Sequence, residues 1–166
     1  MPRADYDATP REVRTFALLQ VGLTTGFLVL LYFALDGVDA DVPSWWVIVL
    51  LLLAVAASGF LAERVWLRSE PLDPDEDPDE NKALAVGVFA SQTVRKLWIC
   101  NASIAFAILV SFIGNHAAWP LLIGGVPGLV LMAWEVWPSL RNLSMTEVIL
   151  DDEGATSGLV ESFRDW

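Results

Sequence analysis

The side chains in this sequence that could do chemistry lie inside long apolar stretches. Arg95 and Lys96 are adjacent basic residues in the segment 83–114, which carries no charge from residue 97 to residue 113, and Glu135 lies in a later apolar segment. Charged groups in membrane spans mark transport routes or structural ion pairs, because each costs about 2.5–3.5 kcal/mol at mid-membrane on insertion scales. Counting along the helix puts Arg95 and Lys96 near one bilayer boundary, where long side chains reach the interface. This depth favours a structural role.

Helical spacing predicts how these charges are paired. At 100° per residue, the helix with Arg95 and Lys96 and the helix with Glu135 each carry one stripe of polar and small residues. The first stripe holds Gln92, Lys96, Ser103 and Ala107, with Arg95 beside it, and the second holds Leu121, Gly124, Gly128, Leu131 and Glu135. If the stripes face each other, the glycines Gly124 and Gly128 pack against the other helix. Glu135 then forms an ion pair with either Arg95 or Lys96.

Uncharged polar residues within the apolar segments also need partners. Asn101 lies on the other side of its helix and deeper in the bilayer, and we expect its amide to contact Gln20 or Thr24 of the first segment, or another protein. The first segment also contains Gly22 and Gly26, a small-xxx-small spacing that lets a neighbouring helix approach closely. The sequence therefore predicts several helix-packing positions.

Four apolar segments must position these side chains: 14–35, 45–62, 97–113 and 119–137. A helix needs about 20 residues to cross about 30 Å of hydrocarbon, and lipid offers the backbone no partners outside the segment. The 55% hydrophobic content and mean hydropathy of +0.51 are typical of membrane proteins. The sequence thus predicts an all-α fold, a four-helix transmembrane bundle of two antiparallel hairpins over residues 14–137. Its third helix covers 84–113, with an extramembrane lead-in.

Polar segments flank these spans. Residues 1–13 form a tail, and residues 68–82 form an acidic loop in which Asp-Pro-Asp-Glu occurs twice in tandem, at 73–76 and 77–80. Repelling carboxylates and prolines predict an extended, disordered linker there. We expect Trp66 to anchor the second span at the headgroups and Pro127 to permit a kink in the fourth. Residues 138–166 read as a tail with an amphipathic helix.

The distribution of basic residues predicts the threading. With four spans, all ten Lys and Arg residues fall on one side of the membrane or at its boundary, and the two opposite loops have none. Because positive charge is retained on the cytoplasmic side, we expect both termini and the acidic loop to be cytoplasmic. The expected location is the cytoplasmic (inner) membrane.

Several classes of site and partner are disfavoured. The net charge of −11 would repel nucleic acid, and the single cysteine, Cys100, allows no intramolecular disulfide. The sequence has no cluster of metal-ligating residues, no serine–histidine pair and no glycine-rich phosphate loop. We therefore expect no cofactor, no bound metal and no enzymatic activity.

The second half of the chain resembles a loose set of uncharacterised small four-helix bacterial membrane proteins. The resemblance is carried by Lys96 and Asn101 in the third helix, Trp119-Pro120 at the start of the fourth, Pro138 after it and Gly154 in the tail. That set often has an acid at the position of Asn101, so this chain departs from it there and a proton-linked role does not carry over. Size and hairpin layout are more faintly similar to the ATP synthase I assembly protein. The resemblance implies the fold and no activity.

Two functions remain open from the sequence. The first is a non-enzymatic accessory or assembly subunit that binds the lipid bilayer and a membrane-protein partner or a second copy, since small-residue stripes occur on three spans. The alternative is a small oligomeric transporter or channel. Against it, the sequence places no acid at mid-membrane, because Glu63 and Glu135 are interfacial.

Overall fold

The computed structural model describes residues 8–38, 41–114 and 116–164, and within these ranges all regular structure is helical. A 3₁₀ turn at Trp66–Arg68 follows the second helix, and a π-helical turn at Leu121–Gly125 precedes the fourth. The α-helices of the described ranges are α1 (Pro10–Ala34), α2 (Trp45–Glu63), α3 (Pro78–Ile113), α4 (Val126–Val136), α5 (Leu140–Leu150) and α6 (Leu159–Arg164). The predicted all-α class is confirmed.

Three of these helices, α1, α2 and α3, are long and apolar enough to cross a membrane. The predicted fourth span corresponds to the π-helical turn and α4, which reach that length only together with α5, and the two parts are bent by 51°. The bend follows from Trp137, whose extended backbone (ψ 132°) is the conformation favoured before a proline such as Pro138. The described chain therefore has three or four helices of spanning length.

The predicted kink at Pro127 takes the form of a widened turn. Proline has no N–H to bond the carbonyl four residues earlier, and its ring crowds that carbonyl. The preceding turn instead adopts π geometry, in which the Val126 N–H bonds the Leu121 carbonyl five residues back. The helix continues beyond the proline, and the sharp bend lies further on, at residues 137–139.

The prediction of a disordered acidic linker is wrong, because the second Asp-Pro repeat starts a helix. Asp77 accepts a hydrogen bond from the Asp79 N–H (2.9 Å) and caps α3, while Pro78 occupies the first helical position, which needs no donor. In the first repeat, Asp73 accepts from the Asp75 N–H (2.9 Å) in a turn. Leu72 is buried, and its N–H bonds the Leu150 carbonyl (2.9 Å). The linker is therefore an ordered part of the fold.

The centre of the bundle is the antiparallel pair α3 and α4, with α1 and α2 each packed against both. The two loops at one end of the bundle meet where the Ala118 N–H donates to the Gly37 carbonyl (2.8 Å). The predicted second hairpin, α3 with α4, is present. The predicted first hairpin is wrong as a packed pair, because α1 and α2 make their principal contacts with the central helices rather than with each other.

A compact helical cap covers the opposite end of the bundle. It consists of the first half of α3 (78–95), the segment 69–77, α5 and α6. The start of α1 joins it, because the Arg14 guanidinium donates to the Phe163 carbonyl. The cap has its own apolar core, formed by Val13, Leu72, Ala85, Val86, Phe89, Leu143, Leu150, Ala155, Leu159 and Phe163. The predicted C-terminal tail is thus two helices folded onto the lead-in of α3, apart from residues 165–166, which lie outside the described ranges with residues 1–7 of the N-terminal tail.

Candidate functional site

A buried ion pair joins α3 to α4 where the bundle meets the cap. Lys96 Nζ lies 2.8 Å from Glu135 Oε2, and both side chains are 2% exposed. The sequence left open whether Glu135 pairs with Arg95 or Lys96, and the structure brings it to Lys96. Arg95 lies on the exposed surface of the same helix and has no ion-pair partner in the described ranges.

Two further residues extend the pair into an ion-pair cluster, defined by Lys96, Glu135, Arg141 and Glu63. Arg141 Nη1 lies 3.5 Å from Glu135 Oε1, and Arg141 Nη2 donates to Glu63 Oε1. The cluster joins the end of α2, the middle of α3, the end of α4 and the start of α5. Its two cations and two carboxylates have a formal sum of zero, so the burial of Lys96 and Glu135 is electrostatically compensated.

The indole of Trp66 forms an apolar side of the cluster. Lys96 Nζ lies 3.7 Å from the ring centroid, and Arg141 Cζ lies 4.9 Å from it. A cation over an aromatic face is attracted by the ring quadrupole, most strongly where water is excluded. The predicted headgroup anchor is therefore wrong for Trp66, which is 3% exposed inside the protein because the 3₁₀ turn after α2 folds it inward.

Amides and hydroxyls complete this layer. The side-chain nitrogen of Asn142 donates to the carbonyls of Trp134 (3.0 Å), Glu135 (3.1 Å) and Trp137 (2.8 Å), which the end of α4 leaves without helical partners. Gln92 donates to Ser69 Oγ (2.6 Å) and accepts from the Thr146 hydroxyl (2.9 Å). Sequence reasoning missed Asn142 and Thr146. The sequence feature that could have indicated them is Trp137-Pro138 before Ser139, which predicts the end of one helix and the start of another that can fold back against the end of α4.

The segment with Gly124 and Gly128 packs closely against α3. A Cβ added to Gly128 would lie 2.9 Å from Ile104 Cγ1 and 3.1 Å from Ser103 Oγ, and one added to Gly124 would lie 3.1 Å from the Ala107 Cβ. Only glycine allows this approach without displacing neighbours. The two predicted stripes therefore face each other, and their interface is filled by side chains rather than open.

The predicted packing positions of α1 lie on a different surface. Gly22 and Gly26 are exposed, and a Cβ at either would meet nothing within 4 Å. No other helix of the described chain uses their small-residue spacing. Gln20 is partly buried, and its amide makes no hydrogen bond within the described ranges.

Asn101 lies in a groove between α1 and α3. The groove has a volume of about 310 Å³ and is lined by Leu23, Thr24, Phe27, Asn101, Ile104, Ala105 and Ile108. The predicted hydrogen bond from Asn101 to Gln20 or Thr24 is absent from the described structure, although Thr24 lines the same groove. The amide of Asn101 is partly exposed there, without a hydrogen-bond partner in the described part of the chain.

Comparison with protein families, curated proteins and solved structures finds no match. The resemblance to small four-helix bacterial membrane proteins therefore stays a prediction. The ion-pair cluster is bonded internally and connects the bundle to the cap, whereas the groove at Asn101 offers unused hydrogen-bonding groups on the surface.

Proposed function

We propose that this chain is a non-enzymatic accessory or assembly subunit of a larger membrane complex. It spans the cytoplasmic (inner) membrane with four helices, and its termini and helical cap are cytoplasmic. The observation that carries the proposal is a contrast between the two polar features at membrane depth. The buried charges Lys96 and Glu135 are bonded to each other inside the fold, while the unused amide of Asn101 faces outward between α1 and α3.

The distribution of positive charge supports this orientation. The Lys and Arg residues of the described ranges lie in the cap, in the ion-pair cluster or at the adjoining helix ends, and the loops 35–44 and 114–118 contain no Lys or Arg. The positive-inside rule relates such a bias to a cytoplasmic location of the basic side. The acidic segment 70–77 then faces the cytoplasm as part of the cap.

The packing of the central helices supports an interaction role over transport through a monomer. Gly124 in the π-helical turn and Gly128 in α4 allow this segment to approach α3 closely, and the two facing stripes hold no acid at mid-depth. A transport route needs polar groups along a water-filled path, and here the buried charges Lys96 and Glu135 are bonded to each other at one end of the bundle. An assembly of several copies around a shared path remains the competing function.

Native mass determination after gentle solubilisation tests the proposal. We expect a stable complex that contains this chain and at least one other membrane protein in fixed ratio. A homo-oligomer that moves solute across reconstituted liposomes would refute the accessory role in favour of the transporter. The matched control is Lys96→Met, which weakens the fold and should reduce recovery of the chain without changing the ratio of subunits in the complex that remains.

Cysteine labelling tests the orientation separately. In a Cys100→Ser background, Asp41→Cys lies in a loop opposite the cap, and Glu153→Cys lies in the cap. A membrane-impermeant maleimide added to intact cells should label the cysteine at position 41 and leave the one at position 153 unlabelled until the membrane is opened. The reverse pattern would place the cap outside.

A further inference from the structure

Exposed tryptophans mark the level at which the apolar bundle ends and the cap begins. Trp98 is 72% exposed and lies on α3, two residues beyond Lys96. Trp134 is 61% exposed and lies directly before Glu135 on α4. Because Lys96 and Glu135 are bonded to each other, both indoles lie near one level of the bundle. Indole side chains prefer the headgroup layer of a bilayer, so the ion-pair cluster marks the depth of that layer.

The first turn of α5 is held at the same level. The side-chain nitrogen of Asn142 donates to the Trp134 carbonyl (3.0 Å), and α5 then runs at 51° to the segment 121–136. From Leu140 to Val148 the helix advances about 12 Å, of which about 7.5 Å is along the axis of that segment. The headgroup layer of one leaflet is about 5–7.5 Å deep. The first two turns of α5 therefore fit within this layer.

The side of α5 that points away from the protein is apolar. Leu140 and Val148 are each 68% exposed, and Met145 is 44% exposed. At 100° per residue, these three positions share an arc of about 140°. Thr146 lies on the opposite side of the helix, where its hydroxyl donates to the Gln92 side chain of α3 (2.9 Å). The exposed arc therefore points outward from the bundle axis, towards whatever surrounds the bundle at this level.

The charge of α5 differs from that of the rest of the cap. The segment 70–80 carries seven acids and the segment 151–153 carries three. The helix α5 itself has one acid, Glu147, which accepts a hydrogen bond from the Val160 N–H and so turns towards α6. Acidic side chains are repelled by anionic headgroups, and apolar side chains exposed to water are unfavourable. The exposed arc of α5 thus suits the headgroup layer, while the acids of the cap lie on other segments.

We propose that the exposed face of α5 binds phospholipid in the headgroup layer on the cap side of the membrane. This interfacial face consists of Leu140, Ser144, Met145 and Val148. Helices that lie in this layer bury their apolar side chains at the boundary of headgroups and acyl chains. The face continues the surface of α4, where Trp134 is exposed at the headgroup level. The inference rests on the proposed insertion of the bundle in a membrane and identifies the surface through which the cap contacts lipid.

Fluorescence quenching in liposomes tests the interfacial face. In a Cys100→Ser background, the single changes Val148→Cys, Leu53→Cys and Ala83→Cys each carry an environment-sensitive fluorophore, and the purified chain is reconstituted in phosphatidylcholine. Position 53 is 59% exposed on α2 and reports insertion of the bundle. Position 83 is exposed on the cap, 13 residues before Lys96 and about 20 Å from its level. We expect phospholipid with a quencher near its headgroup to quench positions 148 and 53, and aqueous acrylamide to quench position 83. The acrylamide quenching constant should be about three- to tenfold lower at position 148 than at position 83.

Substitutions on the face test its apolar character within the same experiment. Leu140→Asp together with Met145→Asp should reduce lipid quenching at position 148 by about threefold or more, because charges in place of apolar side chains move the face into water. The control pair, Leu140→Ile with Met145→Leu, should retain it. Both altered side chains are exposed, so lipid quenching at position 53 should be unchanged and serves as the folding check.

The outcomes separate this inference from the proposed function. Equal acrylamide quenching at positions 148 and 83, with lipid quenching kept at position 53, would overturn the interfacial face and leave the membrane subunit role in place. Protection of position 148 from acrylamide without lipid quenching would place a second copy on the face and overturn the inference. A protein adduct from a photoreactive amino acid at position 148 in native membranes would overturn it in favour of a protein partner. Loss of lipid quenching at position 53 would refute the insertion itself, and with it both proposals.

Discussion

Removal of one member of the Lys96–Glu135 pair should destabilise the protein severely, whereas removal of both should not. Each side chain is 2% exposed and their charged atoms are 2.8 Å apart. A single Lys96→Met or Glu135→Met change leaves the other charge buried without its main partner, which typically costs about 3–5 kcal/mol. The double substitution replaces a buried ion pair by apolar side chains, a change that is often neutral. The coupling free energy is the sum of the two single costs less the cost of the double change, so we expect it to be about 6 kcal/mol or more.

The neighbours of the pair make the two single changes unequal. After Lys96→Met, Glu135 keeps Arg141 at 3.5 Å, so the cost should fall near about 3 kcal/mol. After Glu135→Met, Lys96 keeps the face of Trp66 and a more distant attraction to Glu63, but it has no hydrogen-bonded carboxylate and lies near the like charge of Arg141, so the cost should approach about 5 kcal/mol. The charge-exchanged protein, with Lys96→Glu and Glu135→Lys together, should recover little of the lost stability. A lysine at position 135 would face Arg141, and a glutamate at position 96 would face the indole of Trp66.

Equilibrium unfolding in mixed micelles, read by tryptophan fluorescence, measures these free energies. Arg95→Met is the matched control, since it removes the neighbouring charge from an exposed position and should change the free energy of unfolding by no more than about 0.5 kcal/mol. The reasoning would be refuted by a coupling free energy below about 0.5 kcal/mol. It would also be refuted if Arg95→Met cost as much as Lys96→Met.

Three other changes test the packing, the helix end and the cap. Gly128→Ala should destabilise the protein by about 1–3 kcal/mol, because the added Cβ would lie 2.9 Å from Ile104 Cγ1. The control Gly26→Ala should be neutral or slightly stabilising, because a Cβ there meets nothing within 4 Å; equal effects of the two changes on thermal unfolding in nanodiscs would contradict the packing described. Asn142→Ala should lower the free energy of unfolding by about 1–3 kcal/mol and speed hydrogen exchange at the end of α4, because the carbonyls there lose their hydrogen-bond donor. The control Ser144→Ala should change little, and unchanged exchange in the Asn142 variant would argue against the capping role. Phe163 is 2% exposed, so Phe163→Ala should lower the stability of the cap by about 3–5 kcal/mol and speed protease cleavage within residues 69–77, while the apolar helices stay protected. If the unaltered protein is already cleaved rapidly there, the segment is not held in place.

Helical periodicity predicted the central pair of helices and their contacts because it fixes which residues share a face. The stripes with Lys96 and Gly128 could be read from spacing alone, and antiparallel pairing then brought Glu135 to the correct depth. Spacing could not choose between Arg95 and Lys96, since adjacent residues differ by only 100° and both side chains are long. The choice depends on Trp66 and Arg141, which fill the space around Lys96.

The parts that sequence reasoning missed depend on contacts between distant segments. Arg141 reaches Glu63, which is 78 residues away, only because the chain bends at Pro138. The composition of the acidic segment predicts disorder, but the buried Leu72, the capped turn at Asp77-Pro78 and the hydrogen bonds of Ser69 and Asp73 to α3 hold it on the rest of the cap. Local sequence patterns also cannot predict that α1 packs on the central helices rather than on α2.

The unbroken length of α3 makes it a rigid connection between the apolar bundle and the cap. Its 36 residues extend about 54 Å, against about 30 Å of hydrocarbon, and no hinge separates the two parts. A tilt of about 5° about Lys96 would displace the start of the helix by about 2 Å, because 18 residues lie on that arm. A force on the bundle half of α3 would therefore displace the acidic edge of the cap as a rigid body.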